Sequence, residues 1–493
     1  MYKLHLILKY LRKRRIAWVS LIAVMMCTAM VIVVISVMGG WLRMFKETFH
    51  DITGDIVISR RSLTGFANYE VMIEKIKALP EVAGAAPTLK TYGLIDINRR
   101  MRDGVQVIGL PLEQMQNVNG FRHSLYRQYG QYIEATDDPK TTAEDREQLK
   151  QLAERPASFA KPYSNEEYQA ANPELKGNLN NFAGMIVGAG VVGIGKDAKG
   201  KIEHWPALFT AYARLTVMPL AEQGATLDPM TKSDRYFFIV DDSRTKVWQY
   251  DSNTVYVPFD LLQKDLGMDK KSYTDSEGNK INEPARTSEI HIGLKLGANL
   301  WATRDKIQQI VDGAIGSDQA TQLGIDPVVV QTWEQFNAKF ISAVEHEKVL
   351  VTFLFSLISI VAIFLIFCIF YMIVVEKTRD IGIIKSVGAT ASGVAGIFLG
   401  YGLAIGIVGS GLGLLAGYLI IHNINFLHEK MGELMGIQIW NPEVYAFDII
   451  PNTINPREVA VIMAVAVVSS VLGAFVPAVR AARLHPVEAL RFE

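Results

Sequence analysis

One glycine-rich stretch has the spacing of a nucleotide-binding loop. Gly188 to Gly193 read Gly-Ala-Gly-Val-Val-Gly, a formal GxGxxG, and Gly190 to Lys196 overlap it as GxxxxGK. A phosphate-binding loop needs Ser or Thr after the lysine to hold Mg²⁺, but Asp197 stands there. No acidic residue ends a second strand about 20 positions later, as a dinucleotide fold requires. We therefore expect a glycine-rich turn beside a strand, and no cofactor.

The other residues that could do chemistry are scattered along the chain. The histidines of the polar segment and of the membrane flanks have no metal-ligand spacing and belong to no Ser-His-Asp signature. They are His204, His291, His346, His422 and His428. The two cysteines, Cys27 and Cys368, both lie in apolar stretches, so the long polar segment between them has no intrachain disulfide. We expect no catalytic residue and no metal site, and the chain is not predicted to be an enzyme.

Four apolar stretches define the organisation of the chain. Residues 16–42, 349–375 and 459–479 carry no charge, and 386–421 is uncharged and rich in glycine. Each exceeds the roughly 18–20 residues that cross a bilayer core. The sequence therefore predicts an integral membrane protein with four transmembrane α-helices, arranged one plus three. The long polar segment between the first two predicts a large α/β domain outside the bilayer.

The basic residues that flank the spans predict the orientation. They lie before the first span, between the second and third, and after the fourth: Lys3, Lys9, Arg12, Lys13, Arg14, Arg15, Lys377, Arg379, Lys385, Arg480, Arg483 and Arg491. Because basic flanks stay in the cytoplasm, both termini are expected there. The protein is then expected in the inner membrane, with its large domain in the periplasm. The first span is too long for a signal-peptide core, so we expect it to be retained. Net charge is zero, which does not suggest nucleic acid as a partner.

These patterns divide the chain into ten segments. They are a basic cytoplasmic segment 1–15, span 16–42, an α/β domain 43–332 with a polar insertion at about 121–180, a stalk helix 333–348, span 349–375, a cytoplasmic coupling helix or loop 376–390, span 391–421, an extracytoplasmic loop 422–457, span 458–479 and a cytoplasmic tail 480–493. Within the domain, alternation predicts strands near 55–58 and 290–296, and hairpins at 93–109 and at 235–250, the latter turning around Asp241. The stalk helix is expected to run unbroken into the second span.

Glycines recur at short intervals in the third span. Small residues three or four apart allow helix backbones to approach closely in lipid. This predicts helix packing at Gly396, Gly400, Gly406, Gly413 and Gly417. A moving interface is the alternative interpretation.

Two stretches on the predicted cytoplasmic side resemble one family. Glu376 to Thr390, EKTRDIGIIKSVGAT, is similar to the E-K/R-x-R-D/E-I-G-I-L-K-x-x-G-A segment of the MacB/FtsX-type permeases of ABC transporters. Pro477 to Arg491, PAVRAARLHPVEALR, resembles the P-A-x-R-A-A-R-L-x-P-V-E-A-L-R end of the same family. The resemblance implies a type VII ABC architecture, in which two permease subunits work with separate ATPase subunits.

Three further stretches resemble the lipoprotein-releasing (LolC/LolE-like) branch. Val33 to Gly40 is similar to its V-L-S-V-M-N-G ending of the first span, although Gly39 stands where the branch often has Asn. Ala343 to Lys348 and Tyr445 to Val459 resemble its approaches to the second and fourth spans. The resemblance covers about 1–60 and 335–493, and the middle of the chain differs.

The resemblance implies that the loop after the second span docks on a cytoplasmic ATPase. The residues assigned to this ATPase coupling are Glu376, Lys377, Arg379, Asp380, Ile381, Ile384, Lys385 and Gly388, with Ile381, Ile384 and Val387 expected to anchor the apolar side of the helix. The other implied partners are a second permease subunit, identical or related, membrane lipid, a lipoprotein cargo and a periplasmic acceptor.

Three functions fit this resemblance. The first is release of lipoproteins from the inner membrane, driven by ATP hydrolysis on a partner chain. The second is MacB-like export of small molecules, peptides or lipids. The third is FtsX-like regulation of a cell-wall hydrolase across the membrane.

Overall fold

The computed structural model describes residues 15–97, 100–101, 104–137, 141–175, 178–193, 205–219, 232–245, 247–274, 280–315, 326–435, 450–451, 453–485 and 489. The chain separates into two compact units. The membrane unit consists of 1–44, 340–439 and 450–493, and the domain unit consists of 45–339 and 440–449.

Helices occur in both units. In chain order they are α1 Arg15–Thr53, α2 Tyr69–Lys77, α3 Leu112–Met115, α4 Gln131–Asp137, α5 Ala143–Glu154, α6 Asn165–Ala171, α7 Trp248–Asn253, α8 Phe259–Asp265, α9 Leu300–Ile315, α10 Trp333–Phe336, α11 Ala338–Glu376, α12 Thr378–Ser386, α13 Ala391–His422, α14 Ile424–Met435 and α15 Pro456–Arg483. Short 3₁₀ turns lie at Phe121–Ser124, Leu179–Asn181 and Pro206–Thr210, and a π-helix at Tyr126–Gly130.

The strands all lie in the domain unit. They are β1 Ile56–Ser59, β2 Phe66–Ala67, β3 Val82–Ile97, β4 Arg100–Met101, β5 Val105–Leu110, β6 Ala183–Gly188, β7 Tyr212–Val217, β8 Ser233–Ser243, β9 Thr254–Pro258, β10 Lys271–Thr274, β11 Lys280–Glu283, β12 Arg286–Thr287, β13 Glu289–Leu294 and β14 Val329–Thr332. Strands and helices alternate along this unit and enclose buried apolar clusters, so the predicted mixed α/β domain is confirmed.

The main sheet closes on itself. Its order is β14-β1-β13-β3-β5-β9-β6-β8-β7, and β7 also pairs with β3. The strands from β3 to β7 in this order therefore form a ring, with β13, β1 and β14 continuing from one side of β3. The long β3 permits this arrangement, because it pairs with β13 along its first half and with β7 along Gly93–Ile97.

The first and last strands of the domain unit are neighbours. β1 and β14 are antiparallel, with Ile56 opposite Thr332. Just beyond the ladder, the backbone N–H of Trp333 donates to the carbonyl of Asp55 at 3.0 Å. The chain therefore enters the domain unit from α1 and leaves it toward α11 at adjacent points.

One predicted hairpin is wrong. The acidic run at Asp241 was expected to form a turn, but it lies inside β8, where it continues the pairing with β6 as far as Ser243. Asp241 is fully buried and its carboxylate accepts hydrogen bonds from the backbone N–H groups of Arg127, Gln128 and Asp242 at 2.7–3.1 Å, and from the Gln128 amide at 3.0 Å. The acid therefore stabilises the neighbouring π-helix rather than a turn.

The predicted polar insertion contains few apolar residues, but several of them are buried. Leu125 and Tyr168 are fully buried, and the Tyr168 ring stacks on Phe238 of β8 with centroids 3.8 Å apart. A second attachment is Arg244, which bonds Asp242 at 2.7 Å and lies 3.4 Å from the centre of the Tyr126 ring. These contacts fix the described part of 121–180 to the sheet.

Four helices match the predicted spans. α1, α11, α13 and α15 are each long and apolar enough to cross a membrane, which confirms the one-plus-three arrangement. The stalk differs from its prediction. The backbone of Asn337 is not helical (φ −95°, ψ 14°), so α10 ends there and the long helix begins at Ala338. The segment 422–457, predicted to be a loop, contains α14.

Glycines bring α13 close to two other spans. A Cβ at Gly402 or Gly406 would lie 2.6–3.0 Å from atoms of α15, and a Cβ at Gly409 or Gly413 would lie 2.8–2.9 Å from atoms of α1. Such distances are too short for a side chain, so the glycines permit the helix contacts. Of the predicted packing glycines, Gly406, Gly413 and Gly417 are buried in these contacts, Gly400 is half-buried and Gly396 is exposed.

The burial of Asp241 predicts a pH dependence. Complete burial, with the nearby Asp242 charge, raises the pKa of Asp241 to about 7, against the lowering effect of Arg127 and the N–H donors. The folded protein therefore binds a proton that the unfolded chain has lost between about pH 4 and pH 7. Relative to Asp241→Asn, the wild type should lose free energy of unfolding as pH rises through this range. Denaturation of the full chain and of the variant in detergent at several pH values measures this. A free energy of unfolding of the wild type that rises with pH relative to that of Asp241→Asn would contradict it.

The glycine contacts predict a matched pair of variants. In Gly413→Ala, the new methyl group would meet the Met25 carbonyl and the Thr28 Cβ at 2.8 Å, whereas a Cβ at Gly411 meets nothing within 4 Å. We expect Gly413→Ala to destabilise the membrane unit by about 1–3 kcal/mol through overpacking, and Gly411→Ala to be neutral. Thermal denaturation of both variants in the same detergent tests this. Equal denaturation midpoints would show that α1 does not pack against α13 at this point.

Candidate functional site

A short helix connects the second and third spans. The backbone of Lys377 interrupts the helix after α11, and α12 follows at once. α12 ends in a Schellman motif, in which Gly388 donates to the Lys385 carbonyl at 3.1 Å and Ala389 to the Ile384 carbonyl at 3.1 Å. Gly388 has φ +102°, which favours glycine at this position. The side chain of Thr390 then caps α13 by accepting from the N–H of Gly393.

The inner side of α12 packs on three spans. Ile381 is 4% exposed and forms a cluster with Val374 of α11, Val394 of α13 and Ala481 of α15. Displacement of α12 would therefore disturb the ends of all three helices.

Lys385 attaches α12 to the end of α15. Its ammonium donates to the carbonyl of Ala482 at 2.8 Å and to that of Leu484 at 2.6 Å. The last carbonyls of a helix have no partners within the helix, and a cation there is favourable. Lys377, the residue before α12, meanwhile pairs with Asp380 of that helix. Three of the charged residues assigned to coupling thus form bonds within their own chain.

The outer side of α12 exposes a different set of residues. Arg379 is exposed, Ile383 is 48% exposed and Val387 is 84% exposed. The three are spaced four apart and so share one side of the helix; we call them the coupling surface. Val387 was expected to anchor the helix, and this is wrong, because it lies beyond the contact that buries Ile381. Ile384 is half-buried, and Glu376 is exposed at the end of α11.

Ile383 is the residue that sequence reasoning missed. The spacing of Arg379, Ile383 and Val387 places them on one side of the helix. It does not indicate which side is exposed, because α12 has apolar residues on more than one side. Only the positions of Val394 and Ala481, both distant in sequence, decide which side is covered.

A second group of interacting residues lies at the opposite end of the spans from α12. Lys348 of α11 bonds Glu458 of α15 at 2.9 Å, and a Cβ on Gly39 of α1 would lie 3.4 Å from the Glu458 carboxylate. The next residue, Gly40, lies against Pro451. The three stretches that suggested the lipoprotein-releasing branch therefore meet here, although residues 445–449 and 452 of the third lie outside the described chain.

An apolar cavity begins one helical turn from this ion pair. It has a volume of about 280 Å³ and lies between α1, α11 and α15. Its lining includes Ile35, Thr352 and Ile462, each four residues from Gly39, Lys348 and Glu458 respectively. Hydrocarbon side chains dominate the wall, with the hydroxyl groups of Thr28, Ser356, Ser359 and Ser469 among them. Such a cavity suits an apolar chain better than a polar solute.

The glycine run at 188–193 forms a turn after β6. A Cβ on Gly188 would lie 2.2 Å from the carbonyl oxygen of Asp251, and one on Gly190 would lie 2.7 Å from the Cα of Ser252. The N–H of Gly190 donates to the same Asp251 carbonyl at 2.9 Å. These glycines thus allow α7 to approach the turn. Lys196 and Asp197 lie outside the described residues.

Comparison with known proteins identifies the region around α12. Residues 352–486 match the FtsX-like permease C-terminal family model. The lipoprotein-releasing system transmembrane protein LolC of Xylella fastidiosa strain Temecula1 is 31% identical over 179 residues, which are 36% of this chain and 43% of that protein. LolC of Neisseria meningitidis is 32% identical over 168 residues, 34% of this chain and 40% of that one.

Two further similarities are more limited. LolE of Haemophilus influenzae is 29% identical over 119 residues, 24% of this chain and 29% of that protein. The periplasmic region of MacB from Actinobacillus actinomycetemcomitans aligns with 60% of this chain and 97% of that one, at 6% identity and a TM-score of 0.27, from which we conclude nothing.

The matched region spans less than half the length of these LolC proteins. The family match contains α12, α13 and α15 entirely, together with α11 from residue 352 onward. The chain therefore carries an FtsX-like permease C-terminal domain over residues 352–486 and is similar, over about a third of its length, to the LolC proteins of lipoprotein-releasing systems.

Proposed function

We propose that this chain is the permease subunit of an ATP-driven transporter that releases lipoproteins from the inner membrane, with a separate cytoplasmic ATPase docked on the coupling surface. The observation that carries the proposal is the two-sided structure of α12. One side is fixed to α11, α13 and α15 through Ile381 and Lys385, and the other exposes Arg379, Ile383 and Val387.

Such a helix can transmit motion without a nucleotide site of its own. A partner that moves the exposed side displaces the ends of three spans together, because the buried side is closely packed and cores are not continuously deformable. The proposal places both termini and α12 in the cytoplasm, and the domain unit in the periplasm, as the basic flanks predict. ATP hydrolysis then belongs to the partner, and a second permease subunit completes the assembly.

The cargo assignment has two supports. The matched LolC and LolE relatives are named for a lipoprotein-releasing system. The cavity between α1, α11 and α15 offers an apolar environment, and it lies one turn from an ion pair where a polar group could be held. An acylated protein combines these two chemistries. MacB-like export and FtsX-like regulation use the same coupling helix, so cargo must be tested separately from ATPase docking.

The docking proposal predicts that Arg379→Glu abolishes recovery of the ATPase. The variant replaces the positive charge of the coupling surface with a negative one, and loss of one charge partner in an interface reduces affinity by about tenfold or more. The measurement is purification of the tagged full chain from native membranes, with quantification of any co-purified ATPase by mass spectrometry.

Arg457→Glu is the matched control. Arg457 is exposed at the start of α15, at the other end of that helix from Lys385, and undergoes the same change in charge. The control should recover wild-type amounts of ATPase. If both variants retain the ATPase, α12 is not the docking helix.

Lys385 predicts a separable defect. Lys385→Gln removes the cation that binds the Ala482 and Leu484 carbonyls, whereas Lys385→Arg keeps a cationic donor. Because Lys385 faces its own chain, we expect Lys385→Gln to retain the ATPase but to release less lipoprotein per ATP hydrolysed. Lys385→Arg should recover most of that release. Reconstituted vesicles with an acylated cargo measure both rates.

The outcomes of that assay distinguish the proposals. Loss of the ATPase from Lys385→Gln would return Lys385 to the docking role expected from the sequence. Wild-type vesicles that hydrolyse ATP but release no lipoprotein would overturn the cargo assignment and leave the permease role intact.

A further inference from the structure

The helix α14 has an exposed apolar side that the proposed function does not use. It begins at Ile424, with one residue between it and His422, where the spanning helix α13 ends. The residue between them, Asn423, has φ −105° and ψ 15°, which is not helical and separates the two helices. α14 therefore begins where the chain leaves the apolar span.

The exposed side is rich in large apolar residues. Phe426 is 59% exposed, Leu427 43%, Met431 38% and Leu434 85%. At 100° per residue these four fall within an arc of about 140°. Lys430 lies within the same arc and is also exposed. A lysine amid apolar residues is typical of helices in the bilayer interface, where its stem lies in the apolar layer and its ammonium reaches the phosphates.

The opposite side of α14 is attached to its own unit. The amide of Asn425 donates to the Ile450 carbonyl at 3.1 Å, and the N–H of Ile450 donates back to the Asn425 side chain at 2.9 Å. This pair of bonds fixes which side of α14 faces outward. The exposed apolar residues are therefore not free to rotate toward the protein.

The apolar surface continues from α13. On the last turns of that span, Leu415, Tyr418 and Leu419 are 49–56% exposed. A transmembrane helix presents such residues to lipid. The exposed side of α14 follows that lipid-facing surface directly along the chain, which favours lipid as its occupant.

We propose that α14 lies in the interfacial layer of the bilayer, with Phe426, Leu427, Met431 and Leu434 in contact with phospholipid and Lys430 directed to the headgroups. α14 then anchors the end of α13 at the membrane surface. The anchor requires that α13 spans the bilayer but is independent of the cargo.

Site-directed spin labelling of the full chain in phospholipid nanodiscs tests this. Cys27 and Cys368 are first replaced by Ala, and single cysteines are then introduced at 427, 431 and 434, and at Glu429 as the matched position outside the apolar arc. Oxygen partitions into lipid and a nickel chelate into water. We expect the ratio of oxygen to nickel collision rates to be several-fold higher at the three apolar positions than at 429.

Two outcomes would overturn the proposal. Equally high nickel accessibility at all four positions would place α14 in water. Low accessibility to both reagents at 427, 431 and 434 would mean that protein, such as a second permease subunit, covers this side. Leu434 is 85% exposed, so a label there leaves packing intact and the result at that position stands even if another variant fails to fold.

Discussion

The close contact of α13 with its neighbours is the constraint on which the membrane unit depends. In lipid there is no hydrophobic gain from burying one apolar helix against another, so association relies on close packing. The glycines of α13 provide it on two sides: Gly402 and Gly406 face α15, and Gly409 and Gly413 face α1. α13 is therefore the helix through which α1 and α15 are held together. Side chains at these positions would separate all three.

This packing gives α12 its mechanical context. The helix is short and would not be stable in isolation, but Ile381 packs against residues of α11, α13 and α15, and Lys385 binds the end of α15. The α12 backbone is thus held by the same bundle that its motion would displace. In the domain unit, Asp241 has a comparable role, because one buried carboxylate organises the π-helix that joins the insertion to the sheet.

The spans and the coupling segment could be predicted from sequence because both depend on local patterns. A charge-free run of sufficient length has few alternatives to a membrane helix, and the motif around Arg379 is contiguous. The outward position of Val387, the inward bonds of Lys385 and the burial of Asp241 could not be predicted in this way. Each depends on a partner far away in sequence: Ala481 near α12, Ala482 beneath the lysine, and Gln128 on the carboxylate. An Asp-Asp-Ser run is typical of a turn, and only the N–H donors of Arg127 and Gln128 explain its position inside a strand.

The adjacency of β1 and β14 has a mechanical consequence. The helix α1 leads into β1, and β14 leads out toward α11, so both connections meet the domain unit at the same end of one antiparallel ladder, beside the bond from Trp333 to Asp55. If the two connections move together, the load passes through the ladder to the whole sheet. If they are pulled apart, the hydrogen bonds of the ladder are loaded one after another, beginning at the end where Ile56 faces Thr332. The strand pairing therefore transmits concerted displacement stiffly and yields to separation.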